Sequence, residues 1–210
     1  MQRQTTRTRA TTRPIVRSTI LVTGGAGAIG RCLVRQLLEH DANGLGVAPD
    51  KPTHARELRG LADAANDPRH VFIRGDVADA ALAAGLLQEF DPQAIVHLAA
   101  ESHVDRSIDG PAPFVQSNVV GTFTLLEAAR RHWGALPEDR KSAFRFLHVS
   151  TDEVYGSLGP QGAFHEATPY DPRSPYSASK AAADHFVRAY HHTYGLPTIV
   201  THSSNNFGPC

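Results

Sequence analysis

Aromatic residues are scarce in this chain, 7 % of 210 positions, with one tryptophan and one methionine. A core so poor in rings has to be aliphatic, built from Ala, Val, Leu and Ile. Cysteine is rarer still. Cys32 and Cys210 form no CxxC or metal-spaced pair, which argues against a disulfide framework or a thiolate metal site and fits a reducing cytoplasm. No stretch approaches the roughly 18 apolar residues of a membrane span. Net charge is also missing, with 21 bases against 21 acids, which argues against a nucleic-acid binder working by broad electrostatics. Lysine is down to Lys51, Lys141 and Lys180 against 18 arginines, which makes the placement of each one informative. What remains is the composition of one globular α/β domain, for which 210 residues suffice.

The charge balance is uneven along the chain. Residues 1–17 hold five arginines and no acid, a +5 start on a −5 body. An Arg- and Thr-rich, acid-free start resembles a targeting presequence but lacks an apolar h-region. A disordered extension over residues 1–18, or a start codon placed too far upstream, is the plainer reading. The domain proper is expected over 19–210.

Strand and helix patterns then alternate. The spacing predicts strands at 19–23, 44–48, 70–74, 94–98, 144–149 and 197–201, with Pro49 weakening the second. Helical periodicity follows Gly30 up to His40 and recurs at 78–89, 112–133 and 176–194. Alternation of this kind implies a doubly wound parallel sheet, a Rossmann fold, with ligands at the carboxyl ends of its strands.

Three motifs start at those ends. Gly24, Gly27 and Gly30 form a GxxGxxG turn between the first strand and first helix. The first glycine permits the tight turn, the second lets the backbone approach a pyrophosphate, and the third lets helix pack on strand. An ordinary strand–helix turn would look the same, so two acids matter. Asp50 lies 20 residues after Gly30, where a carboxylate takes ribose hydroxyls and repels a 2′-phosphate, favouring NAD over NADP. Asp76 follows the third strand and faces the adenine edge in that reading. Ser150-Thr151-Asp152-Glu153 directly follows the fifth strand. Tyr176 and Lys180 open the last helix at i,i+4 spacing, one face shared, so that the lysine is expected to lower the phenol's pKa and make it a base. A surface Tyr–Lys pair is the alternative for these two residues alone.

Together, the glycine turn and YxxxK resemble the extended short-chain dehydrogenase/reductases. Longer segments resemble the dTDP-glucose 4,6-dehydratase family: His97-Leu-Ala-Ala-Glu-Ser-His-Val-Asp-Arg-Ser-Ile108, Asn118-Val-Val-Gly-Thr122, His148-Val-Ser-Thr-Asp-Glu-Val-Tyr-Gly156, Ser174-Pro-Tyr-Ser-Ala-Ser-Lys180 and Ser204-Asn-Asn-Phe-Gly-Pro209. The resemblance spans about 19–210. Its most specific part is Thr151-Asp152-Glu153, since epimerases of the superfamily usually carry small residues at the two acids.

The resemblance implies a redox-neutral dehydration of dTDP-glucose to its 4-keto-6-deoxy product, with NAD as cofactor and no metal. Tyr176 would take the 4-hydroxyl proton, Glu153 the proton on carbon 5, and Asp152 would protonate the departing 6-hydroxyl. Thr151 would hold the 4-oxygen and Lys180 the nicotinamide ribose. Ala28, Ile29, Asp50, Lys51, Pro52, Thr53, Asp76 and Val77 would belong to the cofactor site. Leu98, Ala99, Ala100, Glu101 and Ser102 would line it, Ser117 would support the nicotinamide side, and Asn206 would meet the cofactor. Asn205 and Ser102 would reach the substrate. Family members commonly dimerise through the helices matching 112–133 and 176–194, so a homodimer is expected.

Departures are visible too. Ala28 stands for a usual Phe, the loop after Lys51 is altered, and His202, Ser203 and Phe207 replace a usual Asn, Cys and Tyr. Family members run well past the position of Cys210, adding a further strand and a small substrate domain, so the chain is expected to be an incomplete copy. A dinucleotide-binding module without turnover and a nucleotide-sugar epimerase are the alternatives.

Overall fold

The run Thr19–Thr23 combines β-branched and apolar residues with no breaker, and it forms the central strand β1 of a six-stranded sheet. The computed structural model describes residues 18–41, 44–51, 64 and 66–208. The basic start over 1–17 and the expected cofactor residues Pro52 and Thr53 lie outside them. In chain order follow α1 (Ala28–His40), β2 (Leu45–Asp50), β3 (His70–Arg74), α2 (Ala80–Phe90), β4 (Ala94–His97) and the short α3 (Val104–Asp109). Then come α4 (Ala112–Phe114), a π-helical stretch Val115–Gly121, α5 (Thr122–Ala135) and α6 (Glu138–Ala143). β5 (Arg145–Thr151), a single 3-10 turn Asp152–Tyr155, α7 (Pro175–Tyr194) and β6 (Thr198–Ser203) complete the order.

All strand pairs are parallel and their order is β3-β2-β1-β4-β5-β6. The order reverses direction beside β1, and the crevice beyond the strand ends at that switch point is where a Rossmann fold binds its ligand.

Successive strand residues face opposite sides of the sheet, and both faces are covered. Leu21, Val47, Ile95 and Phe146 are register neighbours across four strands and wholly buried. With Leu86 and Leu87 of α2, Leu125 and Leu126 of α5 and Val187 of α7 they form the larger core. Burying each such side chain contributes about 1.5–3 kcal/mol, so this row outweighs any single surface contact. On the other face, Val22 and Ala48 pack against Val34 and Leu38 of α1.

Three expectations change. β2 runs straight through Pro49, because the Pro49 carbonyl and its imide nitrogen face β1 beyond the last β1–β2 pair, Leu21 with Val47; the carbonyl accepts from Gly24 N at 3.0 Å. The single helix expected at 112–133 is interrupted by seven residues of π-helix. Cys32 on α1 is disulfide-bonded, where cysteine spacing argued against a disulfide framework. No helix among the described residues is long and apolar enough to cross a membrane, and no group of metal-binding side chains is found among them.

Candidate functional site

Tight backbone approaches explain the glycines of the first turn. Gly24 has φ +72°, and a Cβ there would stand 2.7 Å from Ala99 N, where the β4 loop crosses the turn. A Cβ on Gly30 would fall 2.1 Å from Gly24 O, so α1 can lie on the turn only with hydrogen at that position. Gly30 therefore sits beneath the turn and does not face the cleft. Gly27 is the N-cap of α1 and supplies no side-chain hydrogen bond to it. That helix end presents bare amide groups and the positive end of its dipole to the crevice.

The turn is braced by Asp50, whose Oδ2 accepts from Ala26 N at 2.7 Å. One residue on, Lys51 donates to Asp76 Oδ2 at 2.8 Å across the ends of β2 and β3. Burial raises the Asp76 carboxyl, but the Lys51 ammonium and the Ala78 amide outweigh it and hold the pKa below the usual range. Around them opens a cleft of about 430 Å³ lined by Gly24, Gly27, Ala28, Asp50, Lys51, Asp76, Val77, Leu98, Ala99, Ala100, Glu101, Ser102 and Ser117. These residues, expected together from the sequence, are together in space.

A second cleft of about 500 Å³ shares Gly27, Ala28, Leu98, Ala100 and Ser102 with the first and continues it towards β5 and α7. It holds Ile29, Thr151, Glu153, Tyr176, Lys180, Asn205 and Asn206. Asp152 does not line it; its Oδ1 accepts from Thr151 Oγ1 at 3.4 Å at the cleft's margin. Thr151 ends β5 and caps the 3-10 turn, accepting from Glu153 N at 3.3 Å, so the strand end is joined directly to the turn that carries both acids. α7 begins where Ser174 and Ser177 form a reciprocal capping box around Pro175. Tyr176 is thereby fixed in the first turn, and its amide also donates to Ser107 Oγ at 3.1 Å.

The electrostatics differ from the sequence expectation in one respect. The Tyr176 phenol is pushed up, first by burial and then by the nearby Glu153 charge, with a Thr151 hydrogen bond acting the other way. Lys180 does not lower it here, because its ammonium is drawn back to Val149 O at 2.8 Å. Burial brings Lys180 itself down to about 8. Glu153 is raised, by burial and then by its neighbour Asp152, so two adjacent carboxyls do shift the titration of one of them.

Sequence reasoning missed several lining residues. His103 lies on both clefts with φ +124°, a backbone setting rare for a side chain of this size. Arg106 adds a cation to the first cleft, and Ser203 and Ser204 close the second. All four lie within or beside segments that the resemblance quoted; His103 and Arg106 follow β4, Ser203 ends β6 and Ser204 follows it.

The geometry is matched by known proteins. The family model for GDP-mannose 4,6 dehydratase matches residues 21–210. A dTDP-glucose 4,6-dehydratase of Xanthomonas campestris pv. campestris is 58 % identical over 193 residues, covering 91 % of this chain and 54 % of that protein. Among solved structures, a dTDP-glucose 4,6-dehydratase of Streptomyces venezuelae with NAD bound superposes with a TM-score of 0.81 at 46 % identity, covering 91 % of this chain and 57 % of the other. The Bacillus anthracis enzyme of the same name, in complex with NAD, gives 0.80 at 41 %, covering 91 % and 56 %. The chain thus spans about half the length of the curated relatives it matches. On this match of sequence and fold, the chain belongs to the GDP-mannose 4,6 dehydratase family.

Proposed function

We propose that this chain carries the cofactor-binding and acid–base half of an NAD-dependent dTDP-glucose 4,6-dehydratase, and that it acts as a homodimer. The observation that carries the reading is the continuity of the two clefts: the glycine turn opens into the groove that holds Thr151, Glu153, Tyr176 and Lys180.

The residues fit NAD. The uncapped α1 end and the close-packed glycine turn beneath it suit a pyrophosphate. The Asp50 carboxylate at the end of β2 suits ribose hydroxyls and opposes a 2′-phosphate. NAD, when bound, would supply a hydride acceptor for carbon 4 and, once reduced, a hydride donor for carbon 6.

The remaining chemistry belongs to the chain. Tyr176 takes the proton of the 4-hydroxyl as the carbon–hydrogen bond breaks, and Thr151, on the same strand end, holds the 4-oxygen. Its raised phenol pKa falls once a cation lies beside the oxygen, a role that fits Lys180 when its ammonium turns from Val149 O. The 4-ketone makes the carbon 5 proton acidic. Glu153 removes it, being a stronger base for its raised pKa. Asp152 donates a proton to the 6-hydroxyl, which leaves as water. Asn205 and Ser102 contact the sugar nucleotide, and Asn206 and Ser117 the cofactor.

NAD titration and dTDP-glucose turnover on one preparation test the reading. Unaltered chain should bind NAD and form 4-keto-6-deoxy product. Glu153→Gln should still bind NAD while product formation drops by about 10²–10⁴-fold, the usual contribution of a general base. Undiminished product in that variant defeats the assignment of Glu153. Binding without any product leaves a dinucleotide-binding module, and a 4-epimer with its 6-hydroxyl intact means an epimerase.

A further inference from the structure

One turn of α7 beyond Lys180 lies a charged group to which the proposed chemistry gives no part. Asp184 is fully buried, and its carboxylate is a junction for four parts of the fold. Oδ2 accepts from Ser150 Oγ of β5 at 2.8 Å and from the Tyr170 hydroxyl of the loop before α7 at 3.1 Å. It also meets His202 Nε2 of β6 at 3.1 Å. His148 Nε2 of β5 stands 3.2 Å from Oδ1, close but without hydrogen-bond geometry.

Lys180 and Asp184 share one face of α7 at i,i+4 spacing and grip neighbouring residues of β5. Lys180 bonds the carbonyl of Val149, and Asp184 bonds the side chain of Ser150. The residue after these two is Thr151, at the head of the acid–base turn. A buried ammonium without a counter-charge would lose its proton near neutrality.

We propose that Asp184 is a positioning residue for this site: it is the counter-charge that keeps Lys180 an ammonium ion, and it fixes the end of β5 on which Thr151 stands. This rests on the reading of the site given above, but the counter-charge itself is a physical property that can be measured without turnover. The other groups around Lys180 cannot do the work. His97 of β4 and His148 of β5 are buried, with pKa values pushed down by that burial, and any charge on them would oppose the ammonium. Glu153 and Tyr176 face the cleft, where the substrate would stand. Among the described residues, Asp184 is the one whose charge raises the Lys180 pKa against its burial. Burial acts upward on its own carboxyl, but the contacts from His202 and Ser150 outweigh it and hold it far below the usual range.

With three lysines in the chain, labelling lysine with ¹³C at Cε gives a spectrum in which Lys180 can be followed through a pH titration. In Asp184→Asn the Lys180 midpoint should fall by about one pH unit or more, as expected on removing a buried opposite charge, while the Lys51 and Lys141 signals stay in place as internal controls. NAD binding by the variant should then weaken with rising pH at a lower pH than in the parent chain. A folded Asp184→Asn with an unmoved Lys180 midpoint overturns the proposal. If that variant does not fold, ¹³C-aspartate labelling of the parent chain decides. An ionised Asp184 at pH 7 supports the counter-charge, and a protonated one overturns it. Failure of the parent chain to bind NAD would instead defeat the proposed function and leave the lysine titration standing.

Discussion

Gly30 is the position where one atom decides most. A methyl group there would sit 2.1 Å from a backbone oxygen of the glycine turn, and neither helix nor turn can move without uncovering the other. Gly30→Ala should therefore cost about 2–3 kcal/mol of stability by overpacking and lower NAD affinity, read from urea unfolding and NAD titration. Gly27→Ala is the control for stability alone, because its Cβ would meet nothing nearer than Gly24 O at 3.3 Å, whereas its place on both clefts makes NAD affinity sensitive to it. Glu153 carries a second prediction. Its carboxyl is raised by burial and by Asp152, and as a base it must be ionised. Turnover should thus fall on the acid side through a midpoint above the ordinary glutamate value of 4.5, and in Asp152→Asn, which also removes the proposed proton donor, the Glu153 midpoint followed by ¹³C-glutamate labelling should move down. A midpoint unmoved by Asp152→Asn would separate the two carboxyls.

The π-helical stretch is the element that the periodicity of 112–133 did not reveal. Apolar spacing read over several turns averages across a widened turn and does not register where the hydrogen-bond pattern changes. Within the stretch lies Asn118, a buried polar side chain. Asn118 Oδ1 accepts from Glu101 N at 2.8 Å, and its Nδ2 donates to Glu101 O at 3.0 Å and Ser179 Oγ at 2.9 Å. It joins the loop after β4 to the residue before Lys180. Asn118→Ala would strand buried partners and should cost about 2–4 kcal/mol, seen as a lowered urea midpoint. The long elements were legible, because Thr19–Thr23, α1 and α7 each carry a strong period and a marked start. The short helices α3 and α6 were not, being set by tertiary contacts and too brief to show a period. Likewise the glycines, Asp50 and the Tyr176–Lys180 pair were legible as local motifs. The Asp184 junction was not, since its partners Ser150, Tyr170 and His202 lie 14 to 34 positions away.

Two properties belong to the molecule as a whole. The first is acid sensitivity. His97 and His148 are buried, and burial pushes the His148 pKa from 6.5 down to about 4. Below 6.5 the unfolded chain takes up protons that the folded chain refuses, so stability falls as pH drops from there towards 4. Each such histidine can remove up to about 1.4 kcal/mol per pH unit in that window. The urea midpoint should decline between pH 7 and 5 and decline less in a His148→Gln variant that stays folded; a flat profile would mean that both rings are protonated in place. The second property is assembly. Phe123 of α5 and Phe186 of α7 lie 6.0 Å apart and remain 42 % and 39 % exposed on the outer face of two helices that pack against each other. Two-fold pairing of that face with a second copy would form a four-helix interface with the aromatic pair at its centre, where rings contribute most. A stable dimer needs about 800 Å² buried on each partner, which is within reach of two helices of 14 and 20 residues. Sedimentation should show a dimer for the unaltered chain. Phe123→Glu combined with Phe186→Glu should yield monomers with unchanged circular dichroism, since neither ring is part of the buried core. A chain that sediments as a monomer before any substitution removes the homodimer from the proposed function and leaves the groove, which is built wholly within one copy, as it stands.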